Sequence, residues 1–150
     1  MSDVEIQYAS SENSLPLADE LRSWAHAALA VSEKDYELVI RLVDQDESAD
    51  LNQRYRNRSH ATNVLSFPFE APPAVALNLL GDIVICAPVV HREAREQGKT
   101  LQAHWAHMVI HGVLHLLGYD HSEEDQAVAM EALEIQLLDS LGYPNPYITI

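Results

Sequence analysis

Apolar and polar residues alternate along DVEIQYA, near the start of the chain, as they do on a strand with one buried face. YELVIRLVD repeats the alternation with more β-branched side chains and predicts a second strand. Between them, Leu17, Leu21, Trp24, Ala25, Ala28 and Leu29 recur at helical spacing from Pro16 to Ala30, with Pro16 suited to the first helical turn. DESADLNQRYR reads as a short helix, with Asp46 or Ser48 available as its cap. NVLSFPF reads as a strand whose Pro68 suits an edge or an end. EAPPAVALN resembles a surface loop, because paired prolines cannot join a ladder, and LLGDIVICA is the most apolar strand of the chain.

The second half reads as helical. Pro88 opens a helix that runs to Gly98, a natural stop. Thr100 can cap the next helix, which passes through Trp105, Met108, Val109, Val113 and Leu114 to a second stop at Gly118. Ser122 with Asp125 resembles a capping box for the last helix, where Met130, Leu133, Leu137, Leu138 and Leu141 form an inward stripe. About four strands and five helices in mixed order predict an α/β (α+β) layer structure with a mixed sheet. No repeat, low-complexity tract or linker divides residues 1–150, so a single domain is expected.

The composition is that of a globular chain of 150 residues with 47% hydrophobic content. Its apolar runs are too short to span a bilayer, and its N-terminus lacks the basic-then-apolar pattern of a secretory signal. Cys86 is the single cysteine, so no internal disulfide can form; the setting IVICAP suggests a buried strand residue, and a reducing cytoplasm is the simplest compartment. A net charge of −14 argues against nucleic acid as a partner, since binding depends on cations that neutralise phosphates. The distribution softens this. Arg54, Arg56 and Arg58 cluster in RYRNRSH, Arg92, Arg95 and Lys99 cluster in HREAREQGK, and no Lys or Arg follows Lys99.

The segment HGVLHLLGYDH carries the clearest chemistry. Residues four apart on a helix lie within about 40° of each other, so His111 and His115 can reach one ion together. Gly118 permits the turn that can return His121 to the same ion as a third ligand. Three neutral imidazoles suit Zn²⁺ or a similar divalent metal, and an open fourth position is the mark of a catalytic site. The alternative, that all three are ordinary polar side chains at a helix end, does not account for their joint spacing with Gly118. His107, one turn upstream, could add a fourth ligand, but is expected rather beside the site, as a pocket residue or a group behind the ligands. His104 is expected at the surface. Asp120 has two roles open to it, orienting an imidazole or capping the last helix, and capping is the more ordinary.

Together with YRNRSHATNVLSFPFE and LLGDIVI, the segment HWAHMVIHGVLHLLGYDH resembles the YbeY family of bacterial endoribonucleases that mature ribosomal RNA. The matching blocks run from about residue 51 to residue 122. The resemblance implies a mixed sheet with packed helices, a metal on His111, His115 and His121, and Arg56 as the functionally important arginine. It also implies a role in 16S rRNA 3′-end maturation and ribosome quality control, with single-stranded RNA, the ribosome and ribosomal proteins as partners. One departure stands before Thr62–Asn63, where the family often has proline and this chain has Ala61. That change bears on the rigidity of the loop rather than on its chemistry.

The metzincin peptidases share the histidine spacing and are the natural rival. Their glutamate, next to the first histidine, deprotonates the attacking water and later protonates the leaving amine. Gly112 stands there in this chain and can do neither, a loss of about 10²–10⁴ in rate for amide cleavage. Phosphodiester cleavage asks instead for a Lewis acid and a cation on the phosphoryl oxygens, and Arg56 has the shape for the second. A solvated Arg56 beside a short helix is the plain alternative. Arg92, Arg95 and Lys99 at i, i+3 and i+7 share a helical face that could track a backbone, or else form a solvated face with an Arg92–Glu96 pair. No run of exposed aromatics provides a base-stacking platform. A third reading is non-enzymatic, a ribosome-assembly factor in which the metal only stabilises the fold. The tail YPNPYITI has an apolar end that could pack back as a strand or meet a partner.

Overall fold

The computed structural model describes residues 2–58, 60–69, 78–120 and 122–148. Most of the expected loop EAPPAVALN, the third expected ligand His121, and the end of the tail lie outside the described residues. Among the described residues the order is β1 (Asp3–Ala9), α1 (Ala18–Leu29), β2 (Glu37–Val43), α2 (Gln45–Arg56), β3 (Val64–Pro68), β4 (Leu79–Cys86), α3 (Ala87–Gln97), α4 (Leu101–Leu116) and α5 (Glu124–Ser140). The sheet order is β1-β2-β4-β3, with β1, β2 and β4 parallel and β3 antiparallel to β4. This is the expected α/β fold with a four-stranded mixed sheet and five helices. Pro68 ends the edge strand β3, where its missing N–H costs no ladder bond.

The period-two pattern divides the sheet into two faces. Leu38, Ile40, Leu42, Ile83 and Ile85 face a core completed by α1 and α4, whereas Val43, Leu65, Val84 and Cys86 join a smaller cluster against Leu51 of α2. Helix α4 is the hub, packing on α1, α5, β3 and β4. From His104 to Leu116 every residue except His111 and His115 is buried, which is why the helix is apolar around most of its circumference. Thr100 caps it as expected, its hydroxyl accepting from the Ala103 N–H at 3.1 Å.

Several expected helix starts differ. Helix α1 begins at Ala18 rather than Pro16, and Glu20 accepts the Leu17 N–H at 3.0 Å. Ser48 does not cap α2; it is buried inside the helix, where its hydroxyl accepts the Thr62 N–H and donates to the Thr62 carbonyl, both at 3.1 Å. Asp46 lies in the first turn of α2, and the cap position is Asp44, whose carboxylate is occupied by Ser10 and Ser11. Neither Asp120 nor Ser122 caps α5, because the Ser122 hydroxyl donates to Asp120 at 2.9 Å and the cap position is Glu123.

Gly112 has a packing reason. A Cβ there would stand 2.9 Å from Ile83 Cγ2, so the glycine lets α4 lie directly on β4. A Gly112→Ala change is expected to cost about 1 kcal/mol or more. Overpacking of about 1–3 kcal/mol outweighs a helix-propensity gain of at most about 1 kcal/mol. Urea denaturation of Gly112→Ala measures this; a midpoint equal to that of the wild type would remove the packing role.

Candidate functional site

A cavity of about 540 Å³ opens between α4, the C-terminal end of α2 and the edge strand β3, bordered by Arg56, Asn63, Ser66, His111, His115 and Asp120. Two of the three sequence-predicted metal ligands and the predicted arginine therefore share one cavity. His111 and His115 are neighbours on α4, with ring centroids 4.7 Å apart and planes inclined at 75°. The Gly118 turn follows as expected: its φ is +106°, and the Tyr119 N–H donates back to the Leu114 carbonyl at 3.0 Å.

Arg56 reaches the cavity because the chain after α2 is tied to that helix. Asn57 ends α2 in the left-handed conformation. The buried Asn52 donates to the His60 carbonyl at 2.8 Å, and Ser48 holds Thr62. These bonds do the work that a proline before Thr62 would do by stiffness. Arg56 is exposed and makes no ion pair with any described residue, whereas Arg54 pairs with Asp50 at 3.3 Å.

Behind the cavity lies a group that sequence reasoning missed. Glu134 of α5 has no solvent exposure, and its two oxygens meet His107 Nε2 at 2.6 Å and His111 Nδ1 at 2.8 Å. The Tyr147 hydroxyl donates to the same carboxylate. Burial pushes the Glu134 carboxyl upward, but the hydrogen bonds from the two histidines outweigh it and hold the pKa at about 2. An ionised carboxylate only accepts, so His111 must donate from Nδ1. In the neutral ring Nε2 then carries the lone pair, the tautomer a metal requires. Burial likewise lowers the His107 pKa despite Glu134, which keeps that ring neutral. One nitrogen or oxygen from each of His107, His111 and Glu134 lies within 4.8 Å of the others, so this group too could hold an ion. The 2.6 and 2.8 Å contacts are lengths of charge-assisted hydrogen bonds, and they describe a carboxylate that orients two imidazoles.

A second carboxylate supports the opposite wall. His104, expected at the surface, is buried at 2% exposure because α4 is enclosed on that side too, and its Nε2 lies 2.9 Å from Glu93. Glu93 also accepts from Asn63 Nδ2 at 3.2 Å and so fixes a residue of the cavity rim. Of the two readings of α3, the solvated face with an Arg92–Glu96 pair is the one found: the two side chains stand 3.9 Å apart, and the helix ends at Gln97, before Lys99. Among the described residues, the tail packs back through Tyr147 and forms no strand.

A sequence model described as Endoribonuclease YbeY matches residues 5–142. The chain belongs to the YbeY family. The endoribonuclease YbeY of Nitrosococcus oceani is 56% identical over 149 residues, covering 98% of this chain and 97% of its own length. A Thermotoga maritima protein solved in solution superposes with a TM-score of 0.59 at 25% identity, covering 91% of each chain. As a YbeY protein the chain is a nuclease, an enzyme that breaks phosphodiester bonds, and the peptidase and non-enzymatic readings are set aside. Among the described residues, no helix is long and apolar enough to cross a membrane.

Glu134 couples the site to acidity. Its folded pKa lies below the ordinary 4.5, so its stabilisation is present above that value and is lost as the pH falls toward about 2. Metal-free Glu134→Gln is expected to be less stable at neutral pH and to lose less stability on acidification. Denaturant midpoints followed from neutral to acid pH test both halves of the expectation.

Proposed function

We propose that residues 1–150 act as one metal-dependent endoribonuclease domain that cleaves single-stranded RNA. The 3′ end of the 16S rRNA precursor is its substrate, and the cytoplasmic ribosome with its proteins is its setting. Family membership supports the RNA substrate, and the resemblance of the histidine and arginine segments supports the ribosomal one. His111, His115 and His121 hold one divalent ion, Zn²⁺ by the chemistry of three neutral imidazoles. The observation that carries this reading is the Glu134–His111 bond, which prepares a ligand tautomer on the cavity wall shared with Arg56.

Bound there, the ion supplies Lewis acidity toward water or a phosphoryl oxygen. The rest of the chemistry belongs to the chain. Arg56 binds the scissile phosphate and stabilises the charge that grows on its non-bridging oxygens. The Ser48 and Asn52 bonds hold the loop beside it, and Glu93 holds Asn63. Gly112 presents no acid or base, consistent with a leaving alkoxide that needs less proton assistance than an amine.

Arg56→Ala is expected to lower kcat/KM on single-stranded RNA by about 100- to 1,000-fold with the bound metal retained, as for loss of one preorganised charge-stabilising donor. Arg56→Lys is expected to restore little, because a point charge replaces a bidentate fork. His115→Ala is expected to lose both metal and activity. Metal analysis beside a cleavage assay, with preparations of an inactive variant controlling for contaminating ribonucleases, measures all three. Full activity in Arg56→Ala would remove the arginine from the mechanism.

A further inference from the structure

We propose that Tyr147 is a positioning residue for the metal site, acting on His111 through Glu134. The proposal rests on the reading of His111 as a metal ligand. The Tyr147 hydroxyl donates to Glu134 Oε1 and lies 3.3 Å from His107 Nε2, and the tyrosine ring stands edge-on to His107 at 5.5 Å. The Oε1 atom thus has two neighbours, the tyrosine hydroxyl and His107, while Oε2 is left to His111. A carboxylate buried without exposure cannot turn to water for replacement bonds. Without the hydroxyl, its two oxygens lose the division of labour that directs one of them at His111.

The approach of Tyr147 is built into the tail. After α5, the Tyr143 N–H donates to the Leu138 carbonyl at 2.9 Å, and the Tyr143 ring meets Trp24 edge-on at 6.5 Å. Pro144 and Pro146 flank Asn145, whose side-chain oxygen accepts the Tyr147 N–H at 2.8 Å. Such an Asx turn reverses the chain locally. It turns the tyrosine hydroxyl toward Glu134 although the residue as a whole remains 44% exposed. Deleting a hydroxyl from a residue so exposed removes little packing, so Tyr147→Phe separates orientation from folding.

The test uses the full chain as wild type, Tyr147→Phe, Glu134→Gln and the double variant. Zn²⁺ affinity is measured by competition with a chromophoric chelator, and the His111 tautomer is read from imidazole nitrogen shifts in the metal-free protein. Tyr147→Phe is expected to keep the wild-type thermal midpoint to within a few degrees while weakening Zn²⁺ binding about 10-fold, the lower end of losses seen for groups behind metal ligands. Nδ1–H is expected to become less dominant at His111, and kcat on single-stranded RNA to fall without a change in KM. In the Glu134→Gln background the same substitution is expected to have no further effect on Zn²⁺ binding. Wild-type affinity and tautomer in Tyr147→Phe, or losses that add in the double variant, would overturn the proposal. Should Glu134→Gln fail to fold, the affinity and tautomer of Tyr147→Phe still decide. If the wild-type protein binds no Zn²⁺, the metal reading itself fails; if it binds and Tyr147→Phe binds equally well, only the role of Tyr147 does.

Discussion

A charge with no access to water sits between α4 and α5, and much of the site's geometry answers to it. An isolated carboxylate in such a place costs several kcal/mol, and Glu134 is tolerated because three donors converge on it. Those donors come from two turns of α4 and from the chain beyond α5. Satisfying Glu134 therefore requires α4, α5 and the tail to be in register with one another. The same requirement fixes Nδ1 of His111 as a donor, so that folding and the orientation of this imidazole are one event. Apolar packing supplies most of the stability through the sheet, α1 and α4. The buried charge supplies the reason why one arrangement is kept.

The sheet and helices were legible because their patterns are strong. DVEIQYA and LLGDIVICA became strands, and the α4 stripe became the central helix. The site was legible only where it is local in sequence. His111 and His115 are read from one helix, but the carboxylate that holds His111 lies 23 residues on, in another. Glu134 did leave a trace: it stands four residues from both Met130 and Leu138, in the middle of the buried face of α5. An acid there cannot be solvated, and that signal could have found it. His104 was misplaced for a related reason, since a stripe of histidines on an otherwise apolar helix looks like its exposed edge until a carboxylate from α3 is seen beside it. The unusual loop before Thr62 was read as less rigid for want of proline, yet Ser48 and Asn52 brace it from inside α2.

Gly112 joins fold to chemistry. In a metzincin the residue after the first histidine handles protons; here its Cβ direction meets Ile83 of the sheet. A glutamate at this position would be forced into the core, away from His111 and its cavity. The glycine is thus a packing solution that the nuclease chemistry permits. The polar work on the cavity side falls to residues from α2 and from the strand that follows its loop.

The two walls of the cavity differ in how they are anchored, which bears on the order in which the protein comes apart. The histidine wall belongs to a helix enclosed by the sheet and three other helices, the kind of segment whose amides exchange with solvent only on global opening. The arginine wall hangs from the last turn of a mostly exposed helix, secured by a few side-chain hydrogen bonds. Small fluctuations will open that wall first and leave the histidines in place. The end of α2 that carries Arg56 can then loosen and re-form many times while His111 and His115 keep their places on α4.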